Sequence, residues 1–167
     1  MFRSTKQKRI SYIVFGVYSV LLIWLILFKL TINLSELPSI RGINLIPFHY
    51  DRETPLHSKE LLYNIIVFVP FGIYIRILRE HWKTSVKILT IFSASFILET
   101  AQFIFAIGAS DITDIITNTL GGILGIYLCI LMKKLTYKRY IEIFNTVGAL
   151  TEIIIIGLMV LLFIMNK

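Results

Sequence analysis

Acids and amides occur in this chain where a purely structural apolar run would carry none. Glu99 and Gln102 interrupt the run Phe96-Ile97-Leu98-Glu99-Thr100-Ala101-Gln102-Phe103-Ile104. Gly108-Ala109-Ser110 then leads to Asp111, Asp114 and Asn118, within Asp111-Ile112-Thr113-Asp114-Ile115-Ile116-Thr117-Asn118-Thr119-Leu120-Gly121-Gly122. Two carboxyl groups of different proton affinity can serve as acid and base, and amides offer donors and acceptors together to a polar head group. A carboxylate inside a membrane span costs a few kcal/mol or more, so it faces a bundle interior and acts there. The alternative is interhelical glue, worth about 0.6 kcal/mol per hydrogen bond. That alternative stands for Asn64, Gln102 and Asn118 taken singly and, less strongly, for Glu99, and helix capping alone accounts for Asp111.

Hydropathy decides which elements position these groups. The 167 residues are 56% hydrophobic and 16% charged, with mean hydropathy +0.79, whereas soluble domains average about 45–50% apolar. About 20 apolar residues cross the hydrocarbon core as a helix. Segments 10–30, 61–78, 86–107, 114–132 and 143–165 qualify. The chain therefore reads as an all-α, polytopic membrane helical bundle with five transmembrane helices, one integral-membrane domain over residues 1–167. Net charge is +7, but the cations sort by loop. Arg3, Lys6, Lys8, Arg9, Arg76, Arg79, Lys83, Lys87, Lys133, Lys134, Lys138 and Arg139 fall on one side, against Lys29, Arg41, Arg52, Lys59 and Lys167. This asymmetry predicts a cytoplasmic N-terminus and an outside C-terminus. It makes membrane lipids, and no nucleic acid, the expected partners of the basic loops. The first apolar run exceeds a signal-peptide core and no A-x-A site follows it, so it reads as a retained anchor. Cys129 is alone and reads as a core residue.

The third and fourth spans are joined by about six residues, which predicts an antiparallel helical hairpin. Centred near Ser110 and Asp111, it puts Gln102 level with Asn118, and Glu99 level with Gly121 and Gly122. Those glycines are expected to leave room for a carboxylate, while Gly121 and Gly125 have the spacing of close helix packing. Glu99 and Gln102 share one helix face, as do Asp111, Asp114 and Asn118. Glu99 then lies roughly 12 Å below the outer end of its span. Asn64 is near the outer end of the second span. The long connector 31–60, with its apolar stretch 43–50, is expected to lie on or dip into the outer membrane surface. The expected result is an outward-facing polar pocket, lined by spans two to four and roofed by that loop. Pro70 should kink the second span and leave the Ile66 carbonyl in need of a partner. His49, Asp51, Glu53 and His57 read as ordinary polar loop residues, so no metal or cofactor is expected. No H-E-x-x-H, G-x-S-x-G or P-loop motif is present. Glu152 shares a face with Asn145 and Gly148, from which no role follows.

Four stretches together resemble the VanZ-like family in type and order. They are Asn44-Leu45-Ile46-Pro47-Phe48, Asn64 with Phe68-Val69-Pro70-Phe71-Gly72, Glu99-Thr100-Ala101-Gln102, and Asp111-Ile112-Thr113-Asp114 followed by Asn118-Thr119-Leu120-Gly121-Gly122. The resemblance covers about residues 15–130 and leaves span 143–165 as an additional C-terminal helix. It implies a bacterial plasma-membrane protein with a role in resistance to teicoplanin, a glycopeptide carrying a fatty-acyl chain. It also implies that resistance does not come from altered cell-wall precursors. Residues and resemblance together nominate Asn44, Pro47, Phe48, Asn64, Pro70, Glu99, Gln102, Asp111, Asp114, Asn118 and Gly122 as the functional polar site.

The favoured expectation is a non-enzymatic envelope protein that binds or excludes a ligand at the outer leaflet. That ligand would be a lipid-linked peptidoglycan precursor or the acylated glycopeptide itself. One alternative is an intramembrane enzyme or transporter for a lipid-linked envelope precursor, with Glu99 and Asp114 as acid and base. Another is a scaffold for a second envelope protein.

Overall fold

The computed structural model describes residues 2–28, 40–48, 57–137 and 139–165. It contains helices α1 (Phe2–Phe28), α2 (His57–Leu78), α3 (Thr84–Phe105), α4 (Ile112–Thr136) and α5 (Tyr140–Met165). All five are long and apolar enough to cross a membrane, and the protein is a polytopic membrane helical bundle. Large apolar side chains are exposed on every helix, among them Ile13, Leu62, Leu89, Leu124 and Ile154, as lipid-facing surfaces require.

The centre of the bundle is the contact between α2 and α4. A Cβ at Gly121 would run into the Ile65 carbonyl, and one at Gly125 into the Val69 carbonyl. Two glycines one turn apart thus let backbone meet backbone. This corrects the expectation that Gly121 and Gly122 make room for Glu99, because Ile65 of α2 occupies the space at Gly121 and Ile91 of α3 that at Gly122. Gly122 points to α3, where a Cβ would come within 2.5 Å of Ile91. Ile91 belongs to a buried cluster with Leu22, Phe68, Leu98 and Ile126; a second cluster, around Val14, Tyr74, Ile77 and the buried thiol of Cys129, fills the other end.

Helix α5 is held by polar contacts at its start. Ser11 donates to Asn145 Oδ1 at 2.9 Å, Asn145 Nδ2 donates to the Gln7 carbonyl at 2.9 Å, and Tyr74 donates to the Phe144 carbonyl at 3.0 Å. Its buried residues are Tyr140, Ile141, Asn145 and Glu152. Beyond Glu152 it faces outward. At the same end of the bundle, Lys133 bonds to Glu80 at 2.5 Å and Arg79 stacks over Trp82 at 5.3 Å. Lys87 donates to the carbonyls of Glu80 and Trp82 in the turn after α2. His81 is exposed.

An element absent from the all-helical reading joins α3 to α4. β1 (Ile40–Asn44) and β2 (Ile107–Asp111) pair in parallel, with Asn44 opposite Asp111. Ala106 ends α3 in the left-handed region, φ 56°, and its N–H bonds back to the Gln102 and Phe103 carbonyls. The chain then doubles back along α3. Gly108 lies beside the Gln102 side chain, and the Asp111 N–H reaches Glu99. α4 therefore starts level with Glu99, six residues or about 9 Å below the last residue of α3. Extended backbone at that depth must be buried in protein or line a wet cavity, and pairing with β1 supplies its hydrogen bonds.

Candidate functional site

The re-entry of β2 sets the geometry of the acids. Asp111 closes the strand and caps α4: its Oδ1 accepts from the Thr113 N–H at 2.7 Å, the usual way a cap satisfies a free helix donor. Its Oδ2 accepts from Asn44 Nδ2 at 3.0 Å, so the cap is tied to β1. Its own N–H donates to Glu99 Oε2 at 3.1 Å. Glu99 is only 2% exposed, and this bond holds it against the positive end of the α4 dipole, where a carboxylate is favoured. One turn on, Asp114 Oδ1 accepts from Asn64 Nδ2 at 2.7 Å, which fastens α2 to the same helix start.

The loop after β1 closes over this start. Asn44 Oδ1 accepts from the Ile46 N–H at 3.1 Å, and the Phe48 N–H donates to Thr113 Oγ1 at 3.1 Å. Phe48 has φ 56°, a conformation uncommon for a bulky residue and costing roughly 1–3 kcal/mol. Leu45, Ile46 and Phe48 are nonetheless exposed, at 71%, 59% and 54%. Over half-buried acids and amides lies an apolar rim. Such a site offers carboxylate acceptors and amide donors to a polar group, and hydrocarbon contact to whatever is attached to it.

The structure gathers Asn44, Phe48, Asn64, Glu99, Asp111 and Asp114 here, with Pro47 in the exposed loop. Gln102 and Asn118 are not level with each other as the hairpin register predicts. Gln102 Nε2 donates to the Ile26 carbonyl of α1 at 2.8 Å, and Asn118 Nδ2 donates to Ser95 at 3.0 Å. The re-entrant strand shifts the register, because five residues descend instead of turning at the top. Gly122 belongs to the contact of α4 with α3 (above). Pro70 lines a separate cleft between α1, α2 and α5. There Tyr18 donates to the Val67 carbonyl at 2.6 Å, one residue past the Ile66 carbonyl that the proline leaves without a helical donor. His49, Asp51 and Glu53 lie outside the described residues, and of His57 only the backbone is described. Among the described residues no group of three His, Cys, Asp or Glu side chains is placed to hold a metal.

Sequence reasoning did not assign Thr113 and Ser95. Thr113 is fully buried and ties the loop to the helix start; its signal is a hydroxyl two residues after a capping Asp. Ser95, also fully buried, precedes Glu99 by one turn and lies on the same face of α3.

A membrane bundle with a re-entrant acidic helix start is the class this geometry defines. The chain matches the VanZ/LLP1 family over residues 15–133, and it belongs to that family. It is 37% identical over 144 residues to Protein VanZ of Enterococcus faecium, an alignment covering 84% of this chain and 87% of that one. No solved structure matches the chain.

Proposed function

We propose that this protein lowers the susceptibility of a bacterium to teicoplanin-type glycopeptides by non-enzymatic binding or exclusion at the outer leaflet of the plasma membrane. The N-terminus would be cytoplasmic and the C-terminus outside, following the asymmetry of the basic residues. That orientation turns the start of α4 and its apolar loop toward the outer surface. The observation carrying the reading is the union of Glu99, Asp111 and Asp114 with the exposed Leu45, Ile46 and Phe48. A ligand with a hydrogen-bonding head and an acyl chain, either the drug or a lipid-linked peptidoglycan precursor, matches both halves. Membership of the VanZ/LLP1 family and the 37% identity to Protein VanZ support this reading.

The test is susceptibility to teicoplanin and vancomycin in a sensitive bacterium expressing wild type, Glu99→Gln or Asn64→Ala at matched membrane abundance. Selective protection by wild type, lost in both variants, is expected. Equal protection by the variants sinks the site, and a lack of protection by wild type sinks the function. Chemical change of a lipid-linked precursor by the purified protein would replace binding with catalysis.

A further inference from the structure

A second acid in a membrane-spanning helix lies outside this site, between α1, α2 and α5. Glu152 is 8% exposed, and its Oε1 is buried without a hydrogen-bond partner. It lines a cleft of about 300 Å³ between α1, α2 and α5, together with Leu25, Ile66, Pro70, Val147 and Ile155. The cleft follows from how α5 is attached. Asn145 clamps its start to α1, and Gly148 brings it onto the Tyr74 hydroxyl at 2.5 Å from where a Cβ would stand. Past Glu152 none of the described residues of α5 is buried, and the cleft lies where α5 runs beside α1 and α2.

Two properties of the cleft restrict its occupant. Every lining residue belongs to a membrane-spanning helix and most are apolar, while the hydroxyls of Tyr18, Tyr74 and Thr151 already donate to backbone carbonyls, so hydrocarbon enters at little cost and water at a larger one. Yet an unpartnered carboxyl oxygen in an apolar setting costs on the order of 1–3 kcal/mol. Bare alkane leaves that cost standing. A cavity of this size is at the small end of ligand sites, which take one chain and few polar groups.

We propose that the cleft binds a single aliphatic chain carrying one hydrogen-bond donor, a hydroxyl or an amide N–H, which donates to Glu152 Oε1. The occupant reaches the site laterally from the bilayer. This site is independent of the acids around Asp111, and either can fail without the other.

The experiment uses the full chain in lipid nanodiscs and two photoactivatable probes, a long-chain alkyl alcohol and the matching alkane without a donor. Saturable labelling of cleft residues by the alcohol is expected, competed by unlabelled alcohol. Glu152→Leu removes the acceptor and should weaken apparent alcohol affinity roughly tenfold, the worth of one buried hydrogen bond. Glu152→Gln keeps a carbonyl oxygen and should retain most of it, which separates the bond from mere folding. Thr151→Trp, which narrows the cleft, should abolish saturable labelling by the alcohol. Equal alcohol affinity in wild type and Glu152→Leu overturns the proposal. So does labelling spread over all lipid-facing helices without saturation, or alkane and alcohol labelling wild type alike.

Discussion

Glu99 and Glu152 are both nearly fully buried glutamates in membrane-spanning helices, and the fold treats them oppositely. Glu99 is met by a backbone N–H, a helix N-terminus and a strand that re-enters the bundle to reach it. Glu152 sits on a helix clamped by polar contacts at its start, with one oxygen unpartnered beside a mostly apolar cleft. An acid surrounded by matched donors is part of a built site whether or not a ligand is present. An acid left with an open acceptor is a cost, which the protein carries unless something from the bilayer answers it.

Disrupting the frame behind Glu99 should have the largest effect. Gly121→Leu forces a side chain into the α2 backbone and should cost about 3 kcal/mol or more, read as loss of the monodisperse folded peak in detergent. Next, Asp114→Ala removes the acceptor for Asn64 and should cost about 1–3 kcal/mol, measured by thermal unfolding. Glu152→Leu should leave thermal stability equal or higher, since it removes an unsatisfied acid. A stability loss there as large as for Asp114→Ala would erase the contrast between the two regions. Asn145→Ala frees α5 from Ser11 and Gln7 and should cost roughly 1 kcal/mol, with faster protease cleavage after α4 as the local readout.

The smallest effect concerns pH at the basic end. The Lys133 hydrogen bond holds the Glu80 carboxyl below its ordinary 4.5. A lowered pKa in the folded state adds stability above pH 4.5, and that stability is lost as pH falls through the folded value. The pair is part-exposed, so about 0.5 kcal/mol is expected. Unfolding midpoints of wild type and Glu80→Gln should differ at pH 7 and converge as pH falls from 4.5 through the lowered folded value.

Much of the site was legible because acids and amides in apolar runs are expensive and therefore conspicuous. Asn64, Glu99 and Asp114 stood out that way; Asp111 read as a cap and Asn44 came with the family resemblance, and all five converge. Gln102 and Asn118 stood out equally but bond to Ile26 and Ser95, since helical spacing tells which face a residue takes and not which neighbour covers it. The error in register came from the connector 106–111. Read as a turn, it aligns Glu99 with Gly121; as a strand closing on β1, it aligns Glu99 with the start of α4. The partner strand is remote in sequence, so local pattern held no trace of the pairing.

Hydropathy by itself determined that five helices cross a membrane, because hydrocarbon admits only backbone that bonds to itself. Residue type determined which side chains would need partners there. Only the tertiary structure decided which acid was given them. That choice depends on where β2 re-enters and where α5 diverges, both set by long-range packing of glycines, caps and paired strands.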